Sequence, residues 1–157
     1  MAQVPAADAS RLRSCARTAA FLVILANGCE ELKAFAASAR RCAVARWYVR
    51  MAGEDKDVTT VWLTLGQRTL RYETYVMPAP EENVAELYEH VLRRNDRLVG
   101  AHFSIGIEDA VFLRGELPVA ALTAGELDRA IGTLYATVEQ VFRGLLRIGF
   151  ASRFRST

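Results

Sequence analysis

The chain has 157 residues, 52% of them hydrophobic and 24% charged, with a net charge of +2. Those proportions exclude a disordered chain, and the length fits one domain that buries roughly 70% of the surface its unfolded chain would expose. The charge is uneven. Residues 1–50 carry 8 Lys and Arg against 3 Asp and Glu, residues 51–142 carry 8 against 15, and residues 143–157 add four arginines. Lys33 and Lys56 are the only lysines, the remaining basic residues are arginine, and alanine is abundant. That bias fits a GC-rich genome. No run of five like charges occurs and the aromatic residues do not alternate with the arginines as a stacking platform would require, so we expect no nucleic-acid partner.

The N-terminus holds Arg11, Arg13 and Arg17, then an apolar run at 19–26, then Asn27-Gly28-Cys29. This order imitates a secretion signal, but the run is far short of the ~20 apolar residues that cross a bilayer. A helix over 9–26, stopped at Gly28, explains the same residues. A second helix is expected over 29–40, with Leu32, Phe35, Ala36 and Ala39 on one face. Cys15, Cys29 and Cys42 are odd in number and form no C-x-x-C pair, so reduced thiols in a cytoplasm are expected. An exported or lipid-anchored form of the domain is the competing expectation.

The pattern changes at Val44. Residues 44–51 interleave aromatic and β-branched side chains with Arg46 and Arg50, as in a half-exposed strand. Residues 53–57 are a polar turn. Strands follow at 58–65 and 69–77, with Val61, Leu63 and Leu65 on one face and Arg71, Glu73 and Tyr75 sharing a face of the next strand. Gly66-Gln67 predicts a two-residue hairpin in which glycine supplies a positive φ. Pro78 and Pro80 end the strand, since proline cannot donate to a ladder.

Glu81 and Glu82 are expected to open the next helix, where carboxylates meet the positive end of the backbone dipole. Its stripe is Val84, Leu87, Tyr88, Val91 and Leu92, its last turn holds Arg93 and Arg94, and Asn95 is the expected cap. Short strands at 102–107 and 110–113 turn at Glu108-Asp109, with Gly100 and Gly106 as turn and bulge glycines. The last helix begins at a capping box, Thr123 with Glu126, flanked by Leu122 and Leu127 as a hydrophobic staple. Leu127, Ile131, Leu134, Val138, Val141, Leu145 and Ile148 recur in steps of four and three. That seam fits the sheet, with part of its length open to a partner helix. Gly132 and Gly144 would permit close approach of another backbone. The fold class is therefore α+β: helix, three-stranded meander, helix, two-stranded hairpin, helix, in an antiparallel sheet with helices packed on one side.

Chemistry is sparse. His90 and His102 have no second His or Cys at metal-ligand spacing, and no G-x-S-x-G, phosphate-binding glycine loop or calcium-loop spacing occurs. We expect no catalytic residues, no metal and no cofactor. Aromatics do stand out, with Trp47, Tyr48, Trp62, Tyr72 and Tyr75 on three successive strands. Alternation sends Trp47 and Tyr48 to opposite faces, so one of them points outward, where a peptide or helix could dock. Candidate partner contacts are Arg46, Trp47, Tyr48 and Arg50 on the first strand, with Tyr135 and Phe142 on the last helix.

Several short stretches carry a resemblance in order. They are residues 62–70 (WLTLGQRTL), 75–83 (YVMPAPEEN) and 91–95 (VLRRN), then 115–118 (GELP), Leu122-Thr123, Glu126-Leu127-Asp128 and 145–150 (LLRIGF). Together they resemble the YbjN family of small bacterial proteins in its actinobacterial form, over roughly residues 44–152. The segment before Arg46 does not match. The resemblance implies a fold like type III secretion chaperones, a role in sensory transduction or stress regulation, and no catalytic residues. On this reading residues 1–43 are an N-terminal helical segment of the same domain, 44–152 the YbjN-like core, and 153–157 a short basic tail. The expected function is a non-catalytic protein-interaction module, chaperone-like or a regulatory adaptor. It would be cytoplasmic, without membrane association, and a homodimer bound to a protein or peptide partner. The competing function is a small-ligand binder or enzyme whose site is assembled only in three dimensions.

Overall fold

The computed structural model of the protein describes residues 45–154. The three cysteines, the apolar run at 19–26 and the helices expected at 9–26 and 29–40 lie outside the described residues. The elements are β1 (Ala45–Ala52), β2 (Val58–Leu65), β3 (Thr69–Met77), α1 (Val84–Asn95), β4 (His102–Ile105), β5 (Val111–Pro118), α2 (Ala124–Gly149) and a single helical turn, α3 (Ala151–Phe154). The five strands form one antiparallel sheet in the order β1-β2-β3-β5-β4. The α+β class and the order of the elements from β1 onward are as expected.

Alternation builds the core. Val49, Val61, Leu63, Leu65, Leu70, Tyr72, Val76, Val111 and Leu113 turn to one face of the sheet and are buried. The long helix α2 lies against β3, with β2 and β5 to either side, and closes that face with Leu127, Ile131, Leu134, Val138, Val141 and Leu145. Burying each such side chain is worth about 1.5–3 kcal/mol, which is why this stripe, rather than helix propensity, holds α2 in place. The seam is thus consumed by the core from Leu127 to Leu145, and the expectation that part of it serves a partner helix does not hold. Among the described residues nothing lies within 4 Å of a Cβ placed at Gly132 or Gly144, so neither brings a second described backbone close.

Other local expectations are corrected by long-range contacts. Gly66 needs no positive φ, because the connection runs over Gly66, Gln67 and Arg68 and closes with the Gly66 amide on the Thr69 carbonyl at 2.8 Å. Glu81 and Glu82 precede α1 instead of opening it; their amides donate to the Gly149 carbonyl at 2.9 and 3.0 Å, and Glu86 is the acidic residue of the first turn. Asn95 does not cap its own helix. Its side chain accepts from the Phe103 amide at 2.7 Å and donates to the Phe103 carbonyl at 3.3 Å, clamping β4 to α1. Thr123 accepts from the Glu126 amide at 3.1 Å as expected, while the Glu126 carboxylate engages Arg129 instead of completing the box. Leu122 and Leu127 are both buried.

The strand expected at 110–113 runs on to Pro118. Gly115 lies opposite Tyr72, whose ring crosses it to donate a hydrogen bond to the Gly100 carbonyl at 2.5 Å. A Cβ at Gly115 would fall 2.1 Å from that carbonyl oxygen and 2.4 Å from the ring. Only glycine lets the aromatic ring lie flat across the strand here.

Candidate docking face

The described helices cover one face of the sheet, and the side chains of the other parity form a second, open face that no described helix covers. Register lines them up across the strands. Tyr48 is paired with Trp62, Trp62 with Glu73, Glu73 with Arg114 and Arg114 with His102. A parallel row holds Arg46, Thr64, Arg71 and Glu116, and another brings Tyr75 beside Phe112 and Ser104. Tyr48 is 61% exposed and Trp62 40%, and their ring centroids are 5.2 Å apart, tilted by 49°. Tyr75 meets Phe112 edge-on at 5.6 Å. Arg114 lies 4.6 Å over the Phe112 ring, donates to Glu73 at 2.8 Å and reaches the Ser104 hydroxyl at 3.2 Å. The centre of the face is therefore fixed by mutual contacts, while its β1 side presents Arg46, Tyr48 and Arg50 to solvent.

The β1–β2 turn is held by α2. The Glu139 carboxylate accepts from the amides of Glu54, Asp55 and Lys56 at 2.6, 3.0 and 3.3 Å. Partial burial acts to raise the Glu139 pKa, but the three amides and nearby Arg143 outweigh it and hold the carboxyl below its ordinary range. Arg143 pairs with Asp55 at 3.0 Å, and Tyr135 donates to the Ala52 carbonyl at 3.0 Å. Lys56 donates to the carbonyls of Tyr75 and Val76, at the irregularity where the β3–β5 register shifts. Its ammonium sits 5.1 Å from the Tyr75 ring centre and 5.5 Å from that of Phe142. Burial lowers the Lys56 pKa to about 8, with Glu139 opposing the shift.

The candidate contacts therefore separate. Arg46, Tyr48 and Arg50 share the open face. Trp47 pairs with Leu63 and lies on the helix side, at the rim of the sheet, so Tyr48 is the outward member of the pair. Tyr135 and Phe142 flank the turn on α2 and are engaged there with Ala52 and Lys56. Sequence reasoning noted Trp62 among the strand aromatics and Arg71 on a strand face but made neither a candidate contact, and it did not single out Phe112 or Arg114. The signal for Trp62 was present, since Val61, Leu63 and Leu65 face the core and Trp62 lies between them.

Little else could do chemistry. Among the described residues no group of three or more His, Cys, Asp or Glu is placed to hold a metal ion. His90 accepts from Arg94 at 3.1 Å. A groove of about 300 Å³ beside the end of α2 is lined by Pro78, Ala79, Leu146, Phe150 and Phe154; its two charged residues, Glu81 and Arg153, pair with each other at 2.6 Å. No helix among the described residues is long and apolar enough to cross a membrane.

The model of the family YbjN, described as "Putative bacterial sensory transduction regulator", matches residues 29–147. The chain belongs to the YbjN family. The match starts well before Arg46, so the family's pattern reaches further toward the N-terminus than the motifs above suggest. Two mycobacterial proteins described as uncharacterized are similar to it: Rv0487 of Mycobacterium tuberculosis, 34% identical over 104 residues, and ML2442 of Mycobacterium leprae, 31% identical over 107. The matches cover 66% and 68% of this chain but only 57% and 58% of the relatives, so this YbjN chain spans little more than half their length.

Its fold is that of type III secretion chaperones. A chain of the ExsC–ExsE complex superposes with a TM-score of 0.51 at 18% identity, covering 82% of this chain and 95% of that one. A chain of the heterodimeric ExoU–SpcU complex from the Pseudomonas aeruginosa type III secretion system gives 0.51 at 10% identity, covering 67% and 84%. At such identities the likeness establishes the fold alone.

Proposed function

We propose that this YbjN protein is a non-catalytic interaction module, a chaperone-like or regulatory adaptor that docks a protein partner on the open face of its sheet. The observation that carries the reading is the exposed Tyr48–Trp62 pair, set beside Arg46 and Arg50 on a face that no described helix covers. Aromatic and arginine side chains are the residues most enriched at binding hot spots, because each offers large contact area with a directional polar group. The solved neighbours that share the fold are themselves complexes of two proteins. The adaptor works in the cytoplasm and self-associates as a dimer. Leu92, Val99, Ile105 and Ile107 are exposed along the flank of α1 and β4, and this apolar flank suits a second copy.

A photo-crosslinking side chain at position 48, with one at Leu92 as control, tests the docking face in the native cell. Adducts with a distinct protein from position 48 and not from 92 are expected; the same products from both positions would refute the reading. Sedimentation at micromolar concentration checks the dimer. A single species at the chain mass of 17.4 kDa over a wide dilution series would refute it.

A further inference from the structure

The charges on the open face suggest what kind of segment it receives. Residues 51–142 carry 15 acidic against 8 basic side chains, so this stretch of the chain is acidic. The part of the open face built by β1 and β2 runs the other way. Its described side chains are Arg46, Tyr48, Arg50, Val58, Thr60, Trp62 and Thr64, with no carboxylate among them, and Arg71 follows on β3. Arg46, Arg50 and Arg71 form no ion pair among the described residues, whereas Glu73 and Arg114 neutralise each other. Three unspent guanidinium groups thus surround one exposed aromatic pair, while the other described residues carry 15 acidic against 10 basic side chains.

We infer that this face selects an acidic, extended peptide segment of the partner, with carboxylates two residues to either side of a bulky apolar side chain. The inference rests on the docking reading above. On one face of a strand, side chains two residues apart stand about 6.8 Å apart, and Arg46 and Arg50 flank Tyr48 at that interval on each side. An extended ligand with the pattern acid-x-apolar-x-acid has the same repeat. Its central side chain rests on the Tyr48 and Trp62 rings while its carboxylates meet Arg46 and Arg50, with Arg71 serving a ligand that crosses toward β3. Guanidinium binds carboxylate through two parallel hydrogen bonds, so the arginines supply direction as well as charge. A single-stranded nucleic acid fits less well. The 49° tilt between the Tyr48 and Trp62 rings denies two bases parallel platforms.

The test uses the full chain and a short synthetic peptide, Ser-Asp-Ser-Leu-Ser-Asp-Ser, with counterparts bearing asparagine or lysine in place of aspartate. Binding is read by titration calorimetry and by the fluorescence of Trp62 in a Trp47→Phe background. The aspartate peptide should bind at least about tenfold more tightly than the asparagine peptide, and the lysine peptide should not bind. Salt at about 0.5 M, which shortens the screening length to about 4 Å, should erase most of the difference. Arg46→Ser with Arg50→Ser should remove the preference for aspartate; the comparison of peptides on the wild-type protein stands even if that variant misfolds. Equal binding of the aspartate and asparagine peptides, or no binding of either, would overturn the acidic selection. So would a single-stranded oligonucleotide that binds this face more tightly than the aspartate peptide. A specific crosslink from position 48 would leave docking intact in all three cases, and its absence would count against docking itself.

Discussion

Replacing Glu139 by glutamine measures how firmly α2 holds the β1–β2 turn. The carboxylate accepts from three backbone amides, two at 3.0 Å or less and the third at 3.3 Å. A hydrogen bond to a charged group contributes about 1.5–3 kcal/mol when shielded from water, but this turn is open to solvent and its amides can turn to water, so the low end applies. Glutamine keeps one acceptor oxygen and loses the charge, so about 1–2 kcal/mol should be lost, or on the order of 2–8 °C in Tm for a chain of this size. Urea denaturation followed by circular dichroism at several pH values provides the assay. The folded Glu139 pKa lies below its unfolded value, so its contribution is fully present above the ordinary glutamate pKa of about 4.3 and disappears as pH falls through the folded value. The gap between wild type and Glu139→Gln should therefore be constant near neutrality and close in acid. Equal stability at neutral pH, or a gap that persists unchanged in acid, would refute the clasp.

Thr123→Ala should cost about 1 kcal/mol in the same assay, because the hydroxyl satisfies the Glu126 amide at 3.1 Å. Gly115→Ala should cost at least about 3 kcal/mol, since the added carbon would collide with the Gly100 carbonyl and the Tyr72 ring at once, and loss of no more than a few tenths of that would show that the strand can yield. Lys56 gives the opposite pH signature to Glu139. Its folded pKa of about 8 lies below the unfolded value, so the cost of burying its charge is full below pH 8 and relieved as pH climbs toward 10.5. The stability of wild type relative to Lys56→Met should rise across that window, and a flat difference would mean that the ammonium is freely hydrated.

What the sequence revealed was what its neighbours along the chain decide. The bounds of β2 and β3 follow from the alternation of Val61, Leu63 and Leu65 and from the prolines after Met77, and the stripe on α2 follows from its own spacing. Residues whose partners are remote were misread. Asn95 looked like a cap because Phe103 lies on another element, and Glu81 and Glu82 looked like a helix start because the Gly149 carbonyl they serve is 67–68 residues away. Glu139 gave no local signal at all, since the amides it binds are 83–85 positions distant. The strand expected to stop at residue 113 runs on to Pro118, with Gly115 in mid-strand opposite the remote Tyr72. The candidate docking face was half legible. Period-two patterning separates Tyr48 from Trp47, but only the pairing of β1 with β2 brings Tyr48 to Trp62 and sets the unpaired arginines around them.

The place of β5 in the sheet has a consequence for synthesis. β1, β2 and β3 are neighbours both in the chain and in the sheet, so this meander can pair as soon as it is made. The inner edge of β3 must then wait for β5, and the apolar face formed by Val61, Leu63, Leu70 and Val76 must wait for α2. At about 5–20 residues per second, the interval between completing Met77 and reaching Leu145 is on the order of 3–14 s. During that time the growing chain presents a free strand edge beside a bare hydrophobic surface, the combination that invites pairing with other chains. The chain therefore passes, on every round of translation, through a stage in which its own core is the stickiest surface it has.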